Sequence, residues 1–324
     1  MKKTISTFLK KEPWVHFNAL QDLDELTQNE LEVTGVRKKM LGHPMIRKIM
    51  NELQHWPGYP LKNHRDANHL IHKLTFLADL GITAEDPGVS EILSKILKLK
   101  SKEGPFQVII NIPKTFGGTG NDEAAWIICD APLILYSLIR MGYKDKPGVM
   151  DAVYYLTGLI RPNGMGCCST GTFEKFRGPG RKDDPCPYAN LLMLRLFSQL
   201  PEFHDSEIAG IAVDCFFDHW KNQKGRKQYL FGIGSDFRQL KAPLVWYDIL
   251  HVLDVLTQYQ RLVNHPVIQE MANILNEKAD KNGLFRAGSV YRPWKDWDFG
   301  QKREPSAWIT FLVYRIFKRT GIVK

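Results

Sequence analysis

The sequence predicts an all-α chain of helical hairpins, stacked side by side and closed into a double ring. Three observations predict it. A unit of about 60 residues recurs, with a surface-type helix opening at Pro87, Pro147, Ser206 and Pro266. A glycine turn follows each of those helices, at Gly104, Gly164, Gly225 and Gly283. Two kinds of helix then alternate, one apolar along a single stripe and the other over most of its circumference. A repeat of this length is one supersecondary unit that cannot bury its own apolar face, so it must stack on its neighbours.

The first kind of helix reads Pro44 to Trp56, Pro87 to Lys102, Pro147 to Arg161, Ser206 to Gln223 and Pro266 to Asp280. Proline suits the first helical position, where its missing N–H would have no partner. In the Pro87 helix, Val89, Ile92, Leu93, Ile96 and Leu97 fall on one side, with Lys95, Lys98 and Lys100 largely opposite. That one-sidedness marks an outer helix. The second kind reads Trp14 to Leu26, Asn68 to Leu80, Ile127 to Met141, Tyr188 to Leu200, Leu244 to Tyr259 and Ala307 to Phe317. Helices apolar nearly all round are buried. About six inner and five outer helices in alternation make an (α/α) toroid, with the inner set running one way and the outer set the other. An open solenoid competes, but these inner helices are too apolar to line an exposed concave face. The repeat covers nearly everything, so residues 1–324 read as one domain.

Bulk properties narrow the function. An apolar share of 44 %, with eight Trp and seventeen Phe, is enough for a large core. The net charge is +9, but the Lys/Arg runs are too short for the arm or stripe that grips nucleic acid. No run of ~18 apolar residues is present, so no membrane span is expected. Thr4 to Leu9 is too short for a signal peptide and ends in Lys10-Lys11-Glu12 without a cleavage site. Five cysteines, an odd number, argue against a disulfide framework and for a cytoplasmic location.

Long segments separate the glycine turns from the inner helices, at residues 105–123, 165–185, 226–242 and 284–304. Loops of this length are usually functional. Parallel inner helices bring all four to one end of the ring, where helix N-termini add positive dipole ends. Lys114 lies in the first segment, and Arg177, Arg181, Lys182, Arg238, Lys241, Lys302 and Arg303 are the expected anion-binding set. Trp126, Tyr188, Trp246, Tyr247 and Trp308 are expected to line an apolar hollow below. Such a mouth suits a small molecule with an anionic head and an apolar, isoprenoid-like body. The plainer reading is that the loops only pack over the ring end.

The sharpest local signal is Gly180-Arg181-Lys182-Asp183-Asp184-Pro185-Cys186-Pro187-Tyr188, where a loop turns into an inner helix. A cysteine facing a helix start and cationic neighbours is expected to have a lowered pKa, which favours the thiolate that zinc needs. Asp184 adds a carboxylate, and the next inner helix carries Asp248 and His251 on one face. Asp184, Cys186 and His251 would leave a fourth zinc position open, as in catalytic sites. Pro243 is expected to start the His251 helix, placing His251 about eight residues, or ~12 Å, inside it. Plainer roles stay open: Cys186 as a small buried hydrophobe, His251 as a hydrogen-bonded core histidine, and Asp184 as a helix cap. Cys129, Cys167 and Cys168 have no Cys-x2-Cys spacing and read as packing residues.

At these residues the chain resembles the α/α-toroid superfamily of terpenoid cyclases and protein prenyltransferases, most closely the zinc-dependent prenyltransferase β subunit. Asp184-Pro185-Cys186 matches that family's Asp-x-Cys, and Asp248-Ile249-Leu250-His251 its later Asp-x-x-His. Arg181 fills one of the family's upstream basic slots; the other falls on Gly178, with Arg177 one residue off. The family's tyrosine after the cysteine is Pro187 here, with Tyr188 one further on. The resemblance implies a zinc cofactor, a prenyl diphosphate donor and a protein partner subunit. Its cyclase branch uses an Asp-x-Asp-Asp run, which this chain lacks. Two alternatives differ in class. One is a non-catalytic toroid that binds a ligand or a protein partner. The other is a glycan-processing α/α barrel using Asp130, Asp248 or Asp298.

Overall fold

The computed structural model describes residues 3–27, 30–173, 175–176, 180–225 and 232–322. The chain is mostly helical, as predicted, with one two-stranded sheet among the described residues. It forms two compact units, residues 50–233 and residues 1–49 together with 234–324.

Six helices fall where the sequence places inner ones: α2 (Pro13–Asp22), α5 (Leu70–Asp79), α7 (Ala131–Leu138), α9 (Pro187–Phe197), α11 (Ile249–Leu256) and α13 (Ala307–Thr320). Every residue of α7, α9 and α11 is buried, as their all-round apolar sequences require. Five fall where outer ones are placed: α4 (Pro44–Leu53), α6 (Val89–Leu97), α8 (Val149–Thr157), α10 (Glu207–Lys221) and α12 (Pro266–Asn276). On α6 the buried residues are Val89, Ile92, Leu93 and Ile96, with Lys98 and Lys100 exposed beyond its end.

Two helices, α1 (Lys3–Leu9) and α3 (Leu31–Gly42), lie outside the predicted set. The latter buries only Val33, Val36 and Met40, a stripe too thin to stand out in the sequence. Proline opens α4 and α12 as predicted. At Pro87 and Pro147 it instead sits in a turn, and a left-handed glycine, Gly88 or Gly148 at φ +82°, caps the helix behind it.

In the 50–233 unit, α7 packs against both α5 and α9, while α8 covers α7 and α10 covers α9. In the other unit α13 packs against both α11 and α2, α12 covers α11 and α13, and α3 covers α2. The last helix of the chain therefore lies against one of its first. One buried arginine ties the three inner helices of each unit. Arg195 on α9 donates to both oxygens of Asp79 on α5, at 2.5 and 2.6 Å, and Tyr136 on α7 donates to the same carboxylate at 2.8 Å. Arg315 on α13 donates to Asp254 on α11 at 2.7 Å and to Asp22 on α2 at 3.0 Å. These residues lie towards the C-terminal ends of their helices, so within each unit the inner helices run parallel. The positive guanidinium also complements the negative ends of the helix dipoles.

Candidate functional site

With the C-terminal ends held together by arginine, the helix starts of each unit gather at its other end. In the 50–233 unit the segment after Gly164 crosses the starts of α7 and α9. The Ile128 and Thr170 N–H groups donate to the Cys168 and Trp126 carbonyls, each at 3.0 Å, and the Cys186 N–H donates to the Met165 carbonyl at 2.8 Å. The Asn190 amide on α9 accepts from the Met165 N–H at 2.8 Å and donates to its carbonyl at 3.0 Å. Gly164 adopts φ +110° here, and a Cβ would stand 2.9 Å from Asn190 Oδ1, so only glycine fits. Glu103 pins the strap by accepting from Trp126 Nε1 and from the Gly171 N–H.

This strap gathers four thiols. Cys129, Cys167, Cys168 and Cys186 stand close enough to feel one another's charge. Cys186 is the N-cap residue of α9, over the N–H groups of Tyr188 and Ala189 but without a capping hydrogen bond. The sequence reading expects its pKa to be lowered. Burial instead pushes the thiols of Cys186 and Cys168 up to about 12, outweighing the helix start. Beside Cys129, at the start of α7, Asp130 is 1 % exposed, and among the described residues neither carboxyl oxygen has a hydrogen-bond partner. Burial pushes that carboxyl up to about 8. Asp184 is buried, and its carbonyl accepts from Arg161 Nη2 at 3.0 Å, while Arg161 Nη1 donates to the Lys182 carbonyl. Arg181 and Lys182 are exposed. Arg177 lies outside the described residues.

In the second unit the two long segments are joined by the Gly288 N–H donating to the Leu240 carbonyl at 2.9 Å. Here α11 begins at Ile249, not at Pro243. Residues 243–248 stay non-helical after the cis Ala242–Pro243 bond, and Asp248 becomes the cap. Its Oδ1 accepts the N–H groups of Leu250 and His251, each at 3.0 Å. His251 thus sits in the first turn of its helix rather than eight residues inside it. Its Nδ1 lies 2.9 Å from the Trp246 carbonyl, which fits an Nδ1–H donor. Burial pushes the Asp248 carboxyl up to about 7. Asp298 holds the start of α13 by accepting from Ser306 Oγ at 2.6 Å and from the Trp308 N–H at 3.0 Å.

Of the remaining predicted residues, Lys241 is buried and ion-paired with Asp236 at 3.0 Å, and Arg238 is half-buried. Lys302 and Arg303 are exposed. Trp126, Tyr188, Tyr247 and Trp308 are buried and Trp246 is half-buried. Trp126 spends its indole N–H on Glu103, and Tyr188 stacks on His64 with 5.8 Å between ring centroids. Asp184 and Cys186 belong to one unit, and Asp248 and His251 to the other. Among the described residues, no three His, Cys, Asp or Glu side chains are grouped so as to hold a metal ion.

The 50–233 unit also contains a cleft absent from the sequence reading, of about 160 Å³. Residues 105–125 are not a bare loop but carry a hairpin, β1 (Val108–Asn111) and β2 (Asp122–Ala125). Leu61 adds to its edge, donating to the Ile109 carbonyl at 2.8 Å and accepting from Asn111 at 3.0 Å. Leu61, Ile110, Ile112, Phe116, Ile127 and Phe176 give the cleft apolar walls, and Lys62 and His64 also line it. Lys62 is exposed, and so are Lys114 and Lys175, which neighbour wall residues in the chain. Burial holds the His64 imidazole down at about 4, so it is neutral at pH 7. The β-branched run Val108-Ile109-Ile110 ahead of Gly117-Gly118 is the signal that would have found the hairpin.

Among known proteins, no family model matches the chain, and no curated protein matches it.

Proposed function

We propose that the protein binds a small molecule with an anionic head and an apolar body at the helix-start end of an (α/α) toroid. The observation that carries this reading is the cleft of the 50–233 unit, whose walls are largely apolar and whose lining includes the exposed Lys62. Arg181 and Lys182, also exposed in that unit, add to its positive surface. Closure into a toroid is part of the proposal. It is supported by the parallel inner trios of each unit and by α13 packing against α2.

Prenyl transfer is the activity this binding mode would serve. Lysine and arginine side chains would neutralise the departing diphosphate, with the apolar walls excluding water from the reacting carbon. Zinc, if bound by Asp184, Cys186 and His251, would supply a stabilised acceptor thiolate. In favour of those ligands, Cys186 caps its helix and His251 lies in the first turn of its own, with Nδ1 engaged and Nε2 the natural ligand atom. Against Cys186 stands its thiol pKa, raised by burial.

Thermal unfolding with zinc, inorganic diphosphate, prenyl diphosphates and oligosaccharides tests the proposal. A ligand at about 100 times its Kd adds roughly 2.7 kcal/mol, which raises Tm by several degrees. Prenyl diphosphates should shift Tm more than inorganic diphosphate. No shift with either, or a shift with oligosaccharides alone, refutes it. Metal analysis of the parent and of Cys186→Ser decides the zinc part, which fails if neither holds stoichiometric zinc.

A further inference from the structure

We infer that the cleft of the 50–233 unit is a length-limited slot for one short hydrocarbon chain, with Lys62 at its mouth taking the anionic head. The inference rests on the reading above and commits it to a substrate class: amphiphilic anions of which the cleft encloses about ten non-hydrogen atoms. Size decides this. One water needs roughly 10–15 Å³ of such space, so a cleft of about 160 Å³ holds on the order of ten atoms. Pockets for drug-sized ligands run to about 300–1,000 Å³. A fifteen- or twenty-carbon chain would extend beyond the slot, with only its first carbons enclosed.

The walls show what the body must be. Ile110 and Ile112 from the hairpin, Leu61 from the preceding segment, Ile127 and Phe176 present hydrocarbon surface. Behind His64 lies Tyr188, which has no solvent exposure, so the slot is backed by packed core on that side. A neutral imidazole offers that part of the lining no charge to attract a second head group. The lysine lining the cleft is the exposed Lys62, while the exposed Lys114 and Lys175 follow Pro113 and precede Phe176 of its lining in the chain. The acidic residues of the hairpin strand are both engaged: Asp122 accepts from Asn111 Nδ2 at 2.8 Å, and Glu123, paired with Ile110, accepts from Thr119 Oγ1 at 3.2 Å. Phe116, 54 % exposed despite lining the cleft, is the wall residue a bound chain would cover.

The test is a series of n-alkyl phosphates from two to twelve carbons, with alkanoates and alkanols of matching length, titrated calorimetrically into the full-length protein. Affinity should rise about fourfold per added CH₂ and then level off at about eight carbons. Alkanols should bind less tightly than either anion at every length. Preference between phosphates and alkanoates identifies the head. Lys62→Glu should weaken the anions about fivefold or more and leave the alkanols unchanged. Ile110→Trp fills the slot and should abolish the length dependence. Should that variant fail to fold, the plateau in the parent protein still decides. Affinity that climbs steadily to twelve carbons, or alkanols that match the anions, overturns the slot. If long prenyl diphosphates bind tightly and only Arg181 and Lys182 changes weaken them, the slot falls while the broader binding proposal stands.

Discussion

Asp130 is a buried carboxyl with no hydrogen-bond partner on either oxygen among the described residues, and that makes Asp130→Asn a quantitative experiment. Its carboxyl titrates at about 8 in the folded protein, against an ordinary 3.8. Below about pH 3 both folded and unfolded chains hold the proton, so burial has no pH-linked cost. Between pH 4 and 8 the folded protein keeps a proton that the unfolded chain releases. Stability therefore falls as pH rises, by about 1.4 kcal/mol per pH unit from this group. The accumulated deficit is roughly 4 kcal/mol at pH 7. Asparagine has the same shape and cannot ionise. Asp130→Asn should be similar to the parent near pH 4 and more stable by roughly 4 kcal/mol at pH 7.

The assay is urea unfolding of both proteins from pH 4 to pH 8, read as the difference in unfolding free energy. Asp248 and Asp298, whose carboxyls burial also raises, titrate in both proteins and cancel in that difference. A difference that stays constant with pH, or a variant less stable than the parent at pH 8, refutes the reasoning. Either result would mean that Asp130 is stabilised as a carboxylate.

Three further outcomes follow from the same geometry. Arg195→Ala leaves Asp79 buried and unpaired by charge, and should cost roughly 3–5 kcal/mol in urea unfolding; a cost under about 1 kcal/mol would show the pair to be solvated. Asp248→Ala removes the acceptor for two N–H groups of α11 and should cost about 1–2 kcal/mol near pH 4. That cost should shrink as pH rises towards 7, because burial disfavours the ionised form it removes. Glu103→Ala frees both Trp126 Nε1 and the Gly171 N–H, so amide exchange should speed up across residues 164–173 while the helix cores stay protected.

Helix type was legible because burial leaves a periodic trace, and α6 and α9 show the two extremes. Helix ends were less legible. Pro44 and Pro266 start helices, whereas the glycine after Pro87 and Pro147 turns the same residue into part of a turn. Pro243 misled for a related reason: an aspartate five residues on offers a better cap, and its carboxylate takes the first free N–H groups of α11. The thiol cluster could not be read from spacing, since a strap held by Asn190 and Glu103 assembles it from three separate stretches of chain. The cleft depends on Leu61 joining a hairpin about 50 residues away, a pairing that the local pattern does not record.

Arg195 and Arg315 also bear on why the proposed ligand site lies at the helix starts. Each draws the negative ends of three parallel helices around one buried cation, so those ends are filled by charge pairs that are costly to open. The opposite ends carry positive dipoles, yet the residues placed there, Cys186, Cys129 and Asp130, are kept protonated by burial. A helix start built only for stability would carry a hydrogen-bonding side-chain cap, as Asp248 and Ser306 give α11 and α13. At α7 and α9 that stabilisation is forgone, and the helix starts keep the positive potential that the proposed anion site needs. Exposed lysines beside the cleft and at residue 182 lie in the same unit, where such an anion would be drawn in. If Ser were placed at 186 and Asn at 130, helix stability should rise while anion affinity holds, because neither change adds negative charge. A loss of anion affinity in that double variant would mean that the buried acids themselves contact the ligand.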